Sequence, residues 1–359
     1  MIIGGSTLNL QTLGWNQFFE TDFLAYKEEG YTVGRVALEH KRLYRVFTED
    51  SEVLAEVSGK FRFNSLDRGD YPAVGDWVVM TVRQEEGKAT IHAILPRKSK
   101  FSRKVAGVTT EEQIVAANVD HVFIVAALNA DFNVRRIERY MLTAWESGAN
   151  PVIVLSKADL CDDVDEKVSE TETVAIGVPI HVVSAEQNIG LEALSAYIEK
   201  GRTIALLGSS GVGKSTLVNA FTGKESLKTG GIREGDDRGR HTTTHRELIV
   251  LDQGGILIDT PGMRELQLWE ADTGLGQGFS DIEVLGEQCK FRDCQHNGEP
   301  GCAVGQAITD GELDLERFKS YLKLQKELAY LDRKEDKQLA IAEIEKWKKI
   351  TVGQKKRKK

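Results

Sequence analysis

Gly208-Ser209-Ser210-Gly211-Val212-Gly213-Lys214-Ser215, with Thr216 after it, is the stretch whose reading decides the fold of this 359-residue chain. Thr203-Ile204-Ala205-Leu206-Leu207 before it predicts a buried strand, and Leu217, Val218, Ala220 and Phe221 after it predict a helix. Strand, glycine-rich turn and helix start together present backbone N–H groups to phosphate oxygens, and the Lys214 amine adds a positive charge there. Working upstream, Pro151 to Leu155 predicts another strand, ending in Ser156-Lys157-Ala158-Asp159. A carboxylate at Asp159 can accept both the N1 and N2 protons of guanine while the Lys157 stem covers the base; adenine offers no such donor pair. The first residue of this motif is usually Asn, so Ser156 is expected to lose one hydrogen bond supporting the base or the loop. Alone, the tetrapeptide reads better as a helix start with Asp159 near its cap. Beside a complete phosphate loop it reads as the base-recognition motif, yet it precedes that loop where it ordinarily follows. That reversed order is what a circular permutation produces.

Further motifs fall into the same register. His121 to Ala127 predicts a buried strand, and Ile137, Tyr140, Met141, Ala144 and Trp145 form a helical stripe. A strand from Ile180 to Val183 ends in Ser184-Ala185, whose backbone N–H is placed to reach the guanine O6, and a helix around Leu191 to Ile198 leads into the phosphate-loop strand. Past that loop the chain continues through Gly239-Arg240-His241-Thr242-Thr243-Thr244, a strand from Leu248 to Leu251, and Ile256-Leu257-Ile258-Asp259-Thr260-Pro261-Gly262. The last segment supplies Asp-x-x-Gly: Asp259 for a Mg²⁺ ion that Ser215 and Thr243 (or Thr242) also hold, and Gly262 for the γ-phosphate. Alternating strands and helices of this kind make a mostly parallel sheet with crossover helices. The residue after Gly262 is Met263, whose thioether cannot orient an attacking water. Hydrolysis is therefore expected to be slow, with His241 or a group from a partner completing the site.

Outside this region, five short runs (Tyr31 to Leu38, Leu43 to Phe47, Val53 to Val57, Trp77 to Val82, Ala89 to Leu95) predict a small β-barrel. Composition suits an oligonucleotide-binding (OB) barrel, although periodicity alone leaves an SH3-like barrel open. Arg35, Lys41, Arg42, Arg45, Lys60 and Arg62 suggest either an RNA-facing surface or charged strand edges that discourage pairing. Trp15, Phe18, Phe19 and Phe23 before the barrel are expected to pack on a neighbouring surface. Downstream, Cys289, Cys294, His296 and Cys302 lie within one short window, with Gly298, Pro300 and Gly301 turning the chain back. Three thiolates and one imidazole make a closed tetrahedral set suited to one structural Zn²⁺. Leu315, Phe318 and Leu322 mark a following helix.

The expected organisation is a lead-in at 1–30, the OB barrel at 31–98, a basic linker at 99–111, a circularly permuted P-loop G domain at 112–280, a zinc-binding helical domain at 281–345 and a basic tail at 346–359. The net charge is −8, but the tail holds eight Lys or Arg and no acid, so the remainder carries −16. Contact with RNA must then be local, through the tail and discrete patches. Four cysteines, three of them clustered, fit metal ligation in a reducing compartment better than disulfides. No apolar run is long enough to span a bilayer, and Met1-Ile2-Ile3-Gly4-Gly5 lacks the marks of a signal peptide, so a cytoplasmic protein without membrane partners is expected.

Taken together, barrel, permuted motifs and Cys/His set resemble the bacterial ribosome small-subunit-dependent GTPase A family, the RsgA or YjeQ type, over most of the chain. The resemblance implies a GTP hydrolase, working with Mg²⁺, that binds the small ribosomal subunit and its rRNA late in assembly and is stimulated by it. A monomer is expected. Two other classes stand beside it: an RNA-binding nucleotide switch or checkpoint factor with incidental turnover, and a P-loop ATPase with a zinc finger acting on DNA, against which Asp159 speaks.

Overall fold

A computed structural model describes residues 9–40, 42–49, 51–104, 112–223, 246–259, 278–326 and 329. The chain divides into two compact units: one comprises residues 1–104 and 111–267, the other residues 105–110 and 268–359.

The first unit opens with a five-stranded barrel: β1 (Thr32–His40), β2 (Leu43–Phe47), β3 (Glu52–Val57), β4 (Trp77–Arg83) and β5 (Lys88–Ile94). Its strands run β1-β2-β3-β5-β4, and β4 returns to pair with β1, so no strand in the ring is left with an open edge. Strands β3 and β5 are parallel and the other pairs antiparallel. That Greek-key closure selects the OB barrel over the SH3-like alternative. Val36, Tyr44, Val46, Ala55, Val78, Met80 and Ile91 fill the interior. The ring closes tightly at Gly34, where an added Cβ would stand 2.6 Å from both Met80 Cε and Val46 Cγ1.

Ahead of the barrel, Asn16 caps helix α1 (Gln17–Glu28) by accepting from the Phe18 N–H, and within the barrel the short α2 (Gly59–Asn64) lies between β3 and β4. Phe19 and Phe23, four residues apart on one face, are buried, and Trp15 and Phe19 both contact the fully buried Trp77. Phe18, expected to pack with them, is 44% exposed because it points about 100° away around the helix.

Arg35 overturns its RNA-facing expectation. The side chain is buried and donates to three carbonyls: Leu13 in the lead-in at 2.6 Å, Gly75 in the barrel at 3.1 Å and Asn118 beyond it at 3.1 Å. Strand β1 is covered on both faces, so strand alternation gave no exterior to its cationic position. Burial pulls the guanidinium pKa down to about 10, against the opposing pull of Asp120 and Asp76. Arg45 is likewise committed internally, to Glu247 and to Glu52. Residues 100–104, expected as linker, form strand β6 (Lys100–Lys104), antiparallel to β7 (Glu112–Ala117). Lys100 there bonds Glu112 across the pair, a complementarity that the local basic composition concealed.

The α/β part follows as β8 (His121–Ala127), α3 (Val134–Glu146), β9 (Asn150–Ser156), α4 (Val164–Glu172), β10 (Ile180–Val182), α5 (Leu191–Ser195), β11 (Thr203–Leu207), α6 (Lys214–Thr222), β12 (Glu247–Val250) and β13 (Ile256–Asp259). Its strand order is β10-β9-β8-β11-β13-β12; the first five are parallel, and β12 runs antiparallel to β13. β11 lies between β8, which precedes it in sequence, and β13, which follows it. The connections therefore diverge to either side of β11, and a ligand site belongs at the carboxyl ends of these strands.

In the second unit, helices Ser280–Glu287 and Ala303–Asp310 and a helix over residues 315–326 surround Phe279, Ile282, Val304, Phe318 and Tyr321. Arg317 is buried, chelates Asp281 at 2.8 Å through two nitrogens, and stacks over Phe279. The buried stripe of the last helix is Phe318, Tyr321 and Leu324; Leu315, expected on it, is 46% exposed.

Candidate functional site: a nucleotide cradle and a metal-ligand cluster

The phosphate loop joins β11 to α6 through three glycines that no other residue replaces without strain. At Gly208 (φ 153°) a Cβ would lie 2.3 Å from the Val125 carbonyl of β8, so close strand approach demands glycine there. Gly211 and Gly213 have φ of 76° and 93°, left-handed backbone that frees their peptides to turn inward. Lys214 opens α6, and its amine donates to the carbonyls of Gly208 and Ser209, each at 2.6 Å. Val212 is buried beneath the loop, while Ser210 and Ser215 are exposed and Ser209 and Thr216 half-buried.

Ser156, at the end of β9, is buried directly under this loop. Its hydroxyl donates to the Val212 carbonyl at 2.6 Å, with the Ala126 carbonyl at 3.3 Å. Serine thus keeps the bond to the loop that its departure from asparagine was expected to put at risk. Lys157 follows in left-handed conformation (φ 60°), and the Ala158 N–H donates to the Val183 carbonyl, fixing the turn that carries the exposed Asp159 to the end of β10. Ser184 is fully buried and its own N–H is committed to the Ile189 carbonyl. Of the expected Ser184-Ala185 pair, the Ala185 N–H makes no hydrogen bond among the described residues.

Asp259 ends β13, where burial raises its pKa above the ordinary carboxylate range; the nearby Lys214 charge works against that rise and Glu247 adds to it. A carboxylate whose charged form is penalised this way is stabilised by an adjacent cation. His241, Thr242, Thr243, Gly262 and Met263 lie outside the described residues. Sequence reasoning missed Arg136 of α3, which reaches the Ser209 hydroxyl at 3.0 Å. Its signal was the Asn133 cap, which fixes where α3 begins and so which face Arg136 presents.

In the second unit, the ligand atoms of Cys289, Cys294, His296 and Cys302 all lie within 4.8 Å of one another. Cys289 Sγ is 3.6 Å from His296 Nδ1 and 4.0 Å from Cys302 Sγ, and His296 Nδ1 is 3.4 Å from Cys302 Sγ. Ligands placed tetrahedrally around zinc at ordinary bond lengths would be separated by about 3.5 to 3.8 Å. His296 is left-handed (φ 58°), as are Gly298 and Gly301, which turn the chain back so that Cys302 closes the set. Cys302 also caps the helix Ala303–Asp310, accepting from the Gly305 N–H at 3.2 Å. Such a cluster could bind one metal ion.

Fold and cradle define a circularly permuted P-loop protein of the guanine-nucleotide-binding class, with a barrel ahead of it and a metal-ligand cluster behind. A family model described as RsgA GTPase matches residues 94–269. A second, ABC transporter, matches residues 191–357, a stretch that includes the strand–loop–helix both classes use for phosphate. The chain is 48% identical to "Small ribosomal subunit biogenesis GTPase RsgA 1" of Oceanobacillus iheyensis, over 94% of this chain and 98% of that one. It is 44% identical to "Small ribosomal subunit biogenesis GTPase RsgA" of Opitutus terrae, over 98% of each. Among solved structures, YjeQ from Thermotoga maritima is similar at a TM-score of 0.62 and 31% identity, over 83% of this chain and 99% of that one. YloQ, described as a circularly permuted GTPase, is similar at 0.60 and 26% identity, over 84% and 96%. The chain belongs to the RsgA GTPase family.

Ser156→Ala should leave the buried Val212 carbonyl without its donor and weaken binding of fluorescent mant-GDP by about tenfold, the effect of one buried hydrogen bond. Unchanged affinity in an equilibrium titration would remove the clasp from this account.

Proposed function

We propose that this protein hydrolyses GTP in the biogenesis of the small ribosomal subunit, binding the subunit and its rRNA and turning over faster when bound. The observation that supports the reading is the hydrogen bond from the Ser156 hydroxyl to the Val212 carbonyl, which ties the turn bearing Asp159 to the loop bearing Lys214. Asp159 accepts from the guanine N1 and N2 protons, the Ala185 N–H donates to O6, and Lys214 leaves the loop carbonyls for the β- and γ-phosphates. Ser215 and Asp259 are the described residues that would hold Mg²⁺, together with the Thr243 hydroxyl, and the ion would supply charge neutralisation of the phosphates. Gly262 offers its N–H to the γ-phosphate. With Met263 beside it, water positioning falls to His241 or to a group from the subunit.

The relatives' names attach small-subunit biogenesis to those proteins. On this chain the reading is supported by an OB barrel, a fold used to hold oligonucleotides, and by the basic tail from Lys346 to Lys359. We assign one structural Zn²⁺ to Cys289, Cys294, His296 and Cys302, since three thiolates and an imidazole favour zinc and leave no position for a reacting water. The protein acts as a cytoplasmic monomer in this reading.

Multiple-turnover phosphate release from GTP should be slow with protein alone and rise at least about tenfold on adding purified small subunits at low salt, fading as salt increases. His241→Ala should depress the stimulated rate and spare GDP binding. Guanine nucleotide binding with a rate indifferent to subunits would leave a nucleotide switch and overturn the ribosomal reading.

Protein purified without chelator should carry about one zinc per chain by metal analysis, with Cys294→Ala losing it while nucleotide still binds. Absence of zinc from the intact protein would refute the assignment.

A further inference from the structure

The phosphate loop is tied from two sides by residues that precede it in the chain. On one side, Ser156 holds the Val212 carbonyl. On the other, Arg136 Nη1 donates to Ser209 Oγ at 3.0 Å. The guanidinium that makes this contact is itself fixed: Nη1 meets Asp131 Oδ2 at 2.8 Å and Nη2 meets Asp131 Oδ1 at 3.2 Å, a fork-to-fork pair that sets its plane. Asp131 is anchored in turn, its N–H donating to Asn129 Oδ1 at 3.0 Å, while Asn133 caps α3 by accepting from the Arg136 N–H. The pair is exposed, with 36% of the Arg136 and 53% of the Asp131 side chain open to solvent, so it contributes little to stability. What it contributes is orientation.

Ser209 is where that orientation matters. Its hydroxyl receives Arg136 and its carbonyl receives the Lys214 amine, so one residue links the strut to the loop lysine. Ser209 also follows Gly208, which has no side chain to limit how the peptide joining the two rotates. Arg136, Tyr140, Asp131, Ser209 and Val212 line a small cleft between α3 and the loop.

We infer that Arg136, held by Asp131, is a positioning residue for the phosphate loop: it sets the Ser209 peptide, and through it Lys214, for nucleotide binding and phosphate transfer. The inference rests on the guanine-nucleotide reading above. Lysine cannot replace it, because a single ammonium cannot hold a bidentate carboxylate and reach Ser209 in a fixed plane. The strut comes from α3, upstream of the loop in this permuted order, so it gives the upstream half of the chain a direct hold on the phosphate site.

The test is stopped-flow release of mant-GDP and single-turnover GTP hydrolysis by the full chain, for wild type and for Arg136→Ala, Arg136→Lys, Ser209→Ala and the Arg136→Ala/Ser209→Ala double variant. Arg136→Ala is expected to speed mant-GDP release about tenfold, the loss of one charge-assisted hydrogen bond, and to slow hydrolysis, with the thermal midpoint nearly unchanged. Arg136→Lys should resemble Arg136→Ala, Ser209→Ala should reproduce the defect, and the double variant should be no worse than either single one. Wild-type release and hydrolysis in Arg136→Ala, full rescue by lysine, or additive losses in the double variant would each overturn the strut. A wild-type protein that binds no mant-GDP would instead refute the guanine reading on which it rests.

Discussion

A hydrogen bond 2.6 Å long, from the Ser156 hydroxyl to the Val212 carbonyl, joins the two halves of the nucleotide cradle. One half, β8 to β10, carries the turn that bears Asp159; the other, β11 to β13, carries the phosphate loop and Asp259. The parallel sheet brings them together by pairing β11 with β8 on one side and β13 on the other, so the order in which the halves are translated is immaterial to the site. What must be preserved is the register of those strand ends. β8 meets β11 so closely that the Val125 carbonyl excludes any side chain at Gly208, and the loop starts from a fixed point. A glycine-rich loop loses much entropy on ordering, which is why it needs ties from outside itself.

Permutation also decides what the sheet's outer edge meets. β12 carries Glu247, whose Cα pairs with Leu38 of β1 and whose carboxylate takes Arg45 of β2. The barrel and the α/β sheet therefore run into one another as a continuous set of strands, with Arg35 binding the lead-in, the barrel and the Asn118 turn at their junction. Removing the buried guanidinium would strand the carbonyls of Leu13 and Asn118, while that of Gly75 keeps the Asn118 side-chain amide, so this residue is tied to the junction's integrity.

Much of this was legible in the chain. The phosphate loop, its flanking strand and helix, and the Cys/His window are local patterns whose chemistry depends on spacing, and β2 and β8 ended where hydrophobic patterning predicts. Less local facts were not. The OB closure depends on the parallel pairing of β3 with β5, which no strand announces alone. Arg35 read as a surface cation because its three carbonyl partners lie 22, 40 and 83 residues away. Lys100 and Arg103 read as linker charge because their acidic and polar partners sit on β7. Ser156 read as a loss because its acceptor is 56 residues downstream. In each case the sequence showed the group, and the long-range partner that settled its role came only with the fold.

The central claim, that the two halves form a single guanine-nucleotide site read by Asp159, is tested most directly by displacement of bound mant-GDP with GTP, ATP and XTP, for wild type and Asp159→Asn. A carboxylate that accepts two guanine protons predicts that GTP displaces the probe from wild type while ATP does not. Exchanging it for an amide, which can donate to the xanthine 2-oxo group, predicts that Asp159→Asn prefers XTP. Equal displacement by ATP and GTP from wild type, or an Asp159→Asn protein with unchanged preference, would contradict it.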